Sequence, residues 1–283
     1  MNPGYPLGLS GIIWINSHEM IRTLTCFLFL LLFSACTKPP VLHWSEEFEG
    51  TALSRDTWNF ELGDGCPQLC GWGNNEAQVY TRSNHRLEDG KLIITARKED
   101  STYTSTRITT RDKMEFQYGR VEARAKLPAG TGVWPAIWLL GSNIGEVGWP
   151  RCGEIDIMEY VGKAPGEVHT SLHTPDSHGN TVNTRRTPLE GIEEGFHLYA
   201  VEWDPDRIEF FIDGRSVYTF APEKRTEEIW PFDQPFYLII NLAVGGNFGG
   251  PEIDESIFPQ EFIIDYIRIF KCPQGTFREG GCS

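Results

Sequence analysis

The chain has 283 residues, 40% apolar and 12% aromatic, with 29 Gly, 18 Pro and a formal net charge of −14. That length allows one well-filled core, and all-β domains often reach roughly 200–250 residues undivided. The acidic balance, with no basic run interleaved with aromatics, argues against nucleic acid and against a sulfated or otherwise anionic polymer, so a neutral partner is expected.

In chain order, the first element reads as an address rather than a fold. "MIRTLTCFLFLLLFSAC" sets Arg22 before about a dozen apolar residues, then small Ser34 and Ala35 before Cys36. The apolar stretch is short for a membrane span, which takes roughly 20 residues. It resembles a bacterial lipoprotein signal with Cys36 lipidated, although Phe33 stands where such signals usually carry Leu. Residues 1–35 are read as signal peptide and upstream residues, with Met20 the better start. Residues 36–40 form a lipidated tether, 41–272 one folded domain and 273–283 a C-terminal tail. The location implied is the cell envelope, lipid-anchored at the outer membrane or in the periplasm or at the cell surface. The membrane is met only through the lipid, and a monomer is expected. Export suits the cysteines: Cys66–Cys70 and Cys272–Cys282 are candidate local disulfides, although connectivity is not readable from sequence, and Cys152 is left single. A zinc site is the weaker reading, because no second CxxC or nearby His pair completes one.

Beyond the tether, short alternating or apolar runs follow one another between turn residues: "KLIITARK", "YGRVEARAKL", "GVWPAIWLL", "GEIDIMEY", "VHTSLHT", "HLYAVEWD", "RIEFFIDG", "FYLIINLAV" and "FIIDYIRIF". They predict an all-β antiparallel sandwich or barrel. "HLYAVEWDPDRIEFFIDGRSVYTF" reads as three strands with a tight hairpin at Asp213-Gly214, and only "PEKRTEEIW" could hold a turn or two of helix.

The stretch "GEIDIMEY" carries the chemistry. Glu154 and Asp156 share one face of an extended strand, with Ile155 and Ile157 on the other. Glu159 falls on the wrong face by simple alternation, and one extra residue in a β-bulge near Ile157–Met158 would return it. Retaining glycoside hydrolysis needs two carboxyls about 5–5.5 Å apart, one ionised and one protonated. A third carboxylate nearby helps to separate their pKa values.

"EIDIME" resembles the signature of glycoside hydrolase family 16 in its bulged, laminarinase-like form. "WSEEFEG", "GWGNNEAQVYT", "YGRVEARAKLP", "GVWPAIWLLG", "HLYAVEWDPDRIEFFIDG", "NLAVGGNFGG" and "IDYIRIF" resemble family segments in family order. The resemblance implies a concanavalin A-like β-jelly-roll sandwich of two antiparallel sheets, with a sugar cleft on its concave face. It implies Glu154 as nucleophile, Asp156 as supporting carboxylate and Glu159 as acid/base, with no cofactor for catalysis. The expected substrate is a neutral β-glucan cut at β-1,3 or mixed β-1,3/1,4 linkages. A galactan hydrolase of agarase or carrageenase type and a non-catalytic glycan-binding lipoprotein are the alternatives.

Cleft residues are expected at Trp134 and Trp138, whose indoles would stack on sugar faces, and at Trp149, Asn74, Arg120, His173, Asn241 and Asn247. Trp44, Trp58, Trp203 and Trp230 are left mainly to the core. By resemblance alone, Glu47, Gly90 and Asp265 are candidate ligands of a structural calcium ion.

Overall fold

Alternation decides the architecture. In Gly119–Lys126, Val121, Ala123 and Ala125 are buried while Arg120, Glu122 and Arg124 turn outward, the period of a strand with one face on a core. The structure, a computed structural model, describes residues 1, 38–272, 276–278 and 281–282; Cys36 and the expected signal, apart from Met1, lie outside the described residues. The strands in order are β1 (Val41–Glu46), β2 (Asn59–Glu61), β3 (Gln78–Tyr80), β4 (His85–Glu88), β5 (Lys91–Glu99), β6 (Thr102–Ser105) and β7 (Arg107–Thr109). There follow β8 (Glu115–Phe116), β9 (Gly119–Lys126), β10 (Val133–Gly141), β11 (Glu154–Glu159), β12 (Glu167–His173) and β13 (Thr184–Pro188). The last are β14 (His197–Trp203), β15 (Ile208–Ile212), β16 (Arg215–Phe220), β17 (Phe236–Val244) and β18 (Gln260–Lys271), with a small terminal pair, β19 (Phe277–Arg278) and β20 (Gly281–Cys282).

Two sheets result. The cleft sheet runs β13-β12-β11-β10-β17-β7-β2, with β8 on β17; the outer sheet runs β16-β15-β14-β9-β18-β5-β6-β3, with β1 on β18 and β4 on β5. Pairing is antiparallel except between β3 and β6. The core between the sheets joins Leu92, Val121, Tyr199, Phe262 and Ile264 of the outer sheet to Ile137, Leu139, Ile155, Leu238 and Ile240 of the cleft sheet. Each such side chain, fully buried, stabilises the fold by about 1.5–3 kcal/mol. The three expected strands from His197 to Phe220 are present, and their second turn places both Asp213 and Gly214 at positive φ, as a tight hairpin requires. "PEKRTEEIW" makes a single turn, closed by Trp230 N–H on the Thr226 carbonyl. Trp58, Trp203 and Trp230 are buried in the core, and the disulfides are Cys66–Cys70 and Cys272–Cys282, with Cys152 buried and free.

Arg120 corrects the sequence reading. Its strand, β9, lies in the outer sheet, where the guanidinium pairs with Glu122 at 2.7 Å and Glu202 at 3.0 Å. A strand arginine shows its parity in the sequence but not which sheet its strand joins, and Arg120 takes no part in the cleft.

Candidate active site

β11 enters between two close approaches. A side chain at Gly141 would put its Cβ 1.9 Å from the Cys152 carbonyl oxygen, and Gly153, at φ +74, abuts Pro231 and Phe236. From there Glu154 pairs with Leu140 and Asp156 with Trp138, but the next β10 residue, Ile137, pairs with Met158, and Ala136 with Glu159. Ile157 is left over. Ile155, Ile157 and Met158 all point into the core at no more than 1% exposure. Two successive inward residues are the bulge that the acid spacing demanded, and Glu159 rejoins the face of Glu154 and Asp156. On the other side β12 sets His173, Ser171 and His169 opposite Glu154, Asp156 and Glu159.

Each glutamate receives an indole. Trp149 Nε1–H donates to Glu154 Oε2 at 2.8 Å, and Trp134 Nε1–H to Glu159 Oε1 at 3.0 Å. His173 Nε2 stands 3.2 Å from Asp156 Oδ2 and 3.7 Å from Glu154 Oε1. Burial alone would lower the His173 pKa, but Asp156 and the two glutamates outweigh it and push it up to about 9. Gly179 N–H, 3.1 Å from Nδ1, opposes a second proton there, so Nε2–H faces the acids in either state. Burial, then the Asp156 charge, raises the pKa of both Glu154 and Glu159. Glu154 has Trp149 and His173 in contact; Glu159 has Trp134 and, among the described residues, no cation within ion-pair distance. The retained proton therefore settles on Glu159, which leaves Glu154 the better anion. Among the described residues, the cluster with metal-ligand spacing is Glu154, Asp156 and His173, with donor atoms within 4.8 Å of one another. A cation there would neutralise Glu154, the better anion of the two glutamates.

The cleft face continues across β10, β17, β7 and β2, in the row Glu159, Ala136, Asn241, Arg107, Glu61. Trp138 Nε1–H donates to Asn241 Oδ1 at 2.8 Å, and Arg107, ion-paired with Glu61, lies 5.0 Å from the Trp138 ring centroid and 4.6 Å from that of Trp72. The geometry thus gathers Trp134, Trp138, Trp149, His173 and Asn241 around the acids. Asn74 borders this face through Glu76 (Nδ2 to Oε1, 3.4 Å), and Asn247 is tied to the same loop by Asn75 Nδ2 at 2.8 Å. Sequence reasoning missed Arg107, Trp72 and Glu61. Their signal, an arginine in the alternating "TSTRITT" and a Trp in a Gly-rich loop, becomes legible only once β7 is known to pair with β17.

Of the candidate calcium ligands, two acids and the Gly90 carbonyl, both acids already face an arginine. Glu47 is held by Arg268 in a two-toothed pair at 2.8 and 2.9 Å, and Asp265 by Arg124 at 2.6 Å. Gly90 does approach Glu47, but through the latter's backbone carbonyl.

Residues 73–267 match the sequence model of glycosyl hydrolases family 16. A β-glucanase from Rhodothermus marinus is 42% identical over 248 residues, covering 81% of this chain and 85% of its own length. The laminarinase of Flavobacterium sp. UMI-01 superposes with a TM-score of 0.80 at 65% identity, covering 81% of this chain and 100% of that one. The laminarinase catalytic domain of Thermotoga maritima gives 0.79 at 44% identity, covering 84% and 100%. With the fold, the bulged acid strand and this breadth of likeness in agreement, the chain belongs to glycosyl hydrolases family 16.

Proposed function

We propose that the protein is a retaining endo-glycoside hydrolase that cleaves β-1,3 linkages in laminarin-type or mixed β-1,3/1,4-glucans. The observation that carries this reading is the bulge, which returns Glu159 to the face of Glu154 and Asp156 and brings it to the Trp134 indole donor. Glu154 attacks the anomeric carbon, the glycosidic C–O bond breaks, and the Glu159 proton goes to the leaving oxygen. Glu159, now ionised, takes a proton from a water molecule as the water oxygen attacks the same carbon and displaces Glu154. Asp156 keeps the Glu159 pKa high while the first step needs an acid, and His173 orients against Asp156 and Glu154. The indoles of Trp134 and Trp138 supply flat apolar walls for sugar rings.

Glu154→Gln should abolish laminarin hydrolysis and leave the protein folded; an undiminished rate would sink the assignment. Reducing-end release from laminarin, barley β-glucan, lichenan, agarose and carrageenan separates glucan from galactan preference, and the relatives' names support glucan. Binding to every glucan without turnover would instead revive a non-catalytic role. Lipidation at Cys36 and an envelope location are proposals supported by the signal-like residues 20–36 alone, and Cys36→Ala should move the protein into the soluble fraction. A structural calcium ion is likewise supported only by resemblance, and would need backbone carbonyls near Glu47 and Gly90 rather than the arginine-bound carboxylates.

A further inference from the structure

One buried acid on the rim of the cleft is not used by the chemistry above. Glu76, 9% exposed, follows the Asn74-Asn75 pair and receives three donors: Gln78 Nε2 at 2.6 Å and Tyr80 Oη–H at 3.1 Å on Oε2, and Asn74 Nδ2 at 3.4 Å on Oε1. Apart from the Asn74 amide, every hydrogen in this network has one possible place. An indole N–H can only donate, so Trp138 forces the Asn241 amide to turn its oxygen toward the ring and its NH2 toward Tyr80, whose oxygen accepts at 3.2 Å. Tyr80 has a single hydrogen, and it must go to Glu76. Gln78 is pinned in the same way: its Oε1 accepts from Val244 N–H at 2.7 Å, which leaves its NH2 for Glu76. A donor-only indole at one end and an acceptor-only carboxylate at the other thus order the whole chain from Trp138 through Asn241 and Tyr80 to Glu76. Burial raises the Glu76 pKa, and Arg107, stacked on Trp138, opposes that rise.

We propose that Glu76 is a positioning residue for glucan binding: by accepting at the end of this chain it sets the orientation of Trp138 on the cleft face and of Asn74 on its rim. The proposal rests on the glucanase reading above. Glu76→Gln keeps the size but brings an NH2 into the site, and only the Asn74 amide is free to turn and accept it, so the variant must either reverse Asn74 on the rim or set two donors against each other in the chain. Tyr80→Phe removes a single oxygen and cuts the same chain while leaving Glu76 in place.

The test is steady-state kinetics on laminarin with thermal unfolding of each variant, and a cycle with Trp138→Phe. Wild-type turnover that is lost in Glu154→Gln establishes the parent reading independently of Glu76. Given that, Glu76→Gln should raise KM by about tenfold or more with kcat changed less than threefold, and Tyr80→Phe should shift KM in the same direction. In the Trp138→Phe background, Glu76→Gln should cost clearly less, because the indole through which it acts is gone. An unchanged KM in folded Glu76→Gln and Tyr80→Phe variants, a loss confined to kcat, or full additivity with Trp138→Phe would overturn the proposal. If Glu76→Gln does not fold at the assay temperature, Tyr80→Phe alone decides it.

Discussion

Replacing Trp134 by Phe tests where the catalytic proton sits. Trp134 Nε1–H donates to Glu159 Oε1 at 3.0 Å, and the indole packs edge-on against Phe248 with centroids 5.6 Å apart. A hydrogen bond to a charged group is worth about 1.5–3 kcal/mol, and one pKa unit corresponds to about 1.36 kcal/mol. The donor favours the ionised carboxylate, so its removal raises the Glu159 pKa further, by about one to two units. In the proposed mechanism Glu159 is protonated when the glycosidic bond breaks, so its titration should set the basic limb of kcat/KM for the free enzyme. That limb should move to higher pH by about one to two units in Trp134→Phe. Loss of stacking on the sugar should lower kcat/KM by a factor that does not vary with pH, so the position of the limb isolates the hydrogen bond. Initial rates on laminarin across the pH range, with unfolding temperature recorded at each point, provide the measurement. A stationary limb, or one displaced to lower pH, would refute the assignment of the proton to Glu159.

The bulge makes a prediction about chain length. Deleting Met158 should leave a regular strand that still presents the final glutamate on the cleft face, at a stability cost of about 2–5 kcal/mol for the lost buried side chain, with measurable laminarin hydrolysis; inserting one alanine after Met158 should abolish activity in folded protein, because the glutamate either turns inward with the bulge kept or, in a regular strand, moves roughly 7 Å farther from Glu154. Arg107→Ala should raise KM for laminarin about tenfold, since the guanidinium lies between two indoles and holds Glu61. Arg120→Ala is its control, expected to lower the unfolding temperature slightly and to leave KM unchanged.

The contrast between these two arginines shows what was legible in the sequence and what was not. Local patterns reveal strands, hairpins and parity, because side chains alternate with period two wherever one face is buried. "EIDIME" even announces its own irregularity, since three acids cannot share a face without an extra residue. Parity is the same for Arg107 and Arg120: each points away from the core. Only pairing between distant strands decides that β7 joins β17 beneath the sugar while β9 joins β14 and β18 on the outer sheet. The chain from Trp138 to Glu76 was illegible for the same reason, since its four members come from β10, β17, β3 and a loop. Trp149 was weakly legible: its contact with Glu154 depends on the loop before β11, whose path no periodicity describes.

The acids of β11 are handled in the opposite way to those of the outer sheet, and the difference suits the proposed chemistry. On the outer sheet acids are matched with arginine: Glu122 and Glu202 with Arg120, Glu209 with Arg207, Asp265 with Arg124 and Glu47 with Arg268. On β11 one histidine stands beside Asp156 and Glu154, and Glu159 has none within ion-pair distance among the described residues. An arginine beside Glu159 would stabilise its anion and take away the acid that the proposed first step needs. The cluster therefore carries a cost to the fold. A carboxyl whose pKa is raised on folding loses stability as pH climbs above the ordinary glutamate value, the reverse of a salt-bridged acid. Glu159→Gln should accordingly raise the unfolding temperature at neutral pH while removing turnover, and should change it little at a pH below the ordinary glutamate range, where the wild-type carboxyl is protonated in both states. An equal effect at both pH values would mean that the carboxyl is not held in its neutral form by the fold.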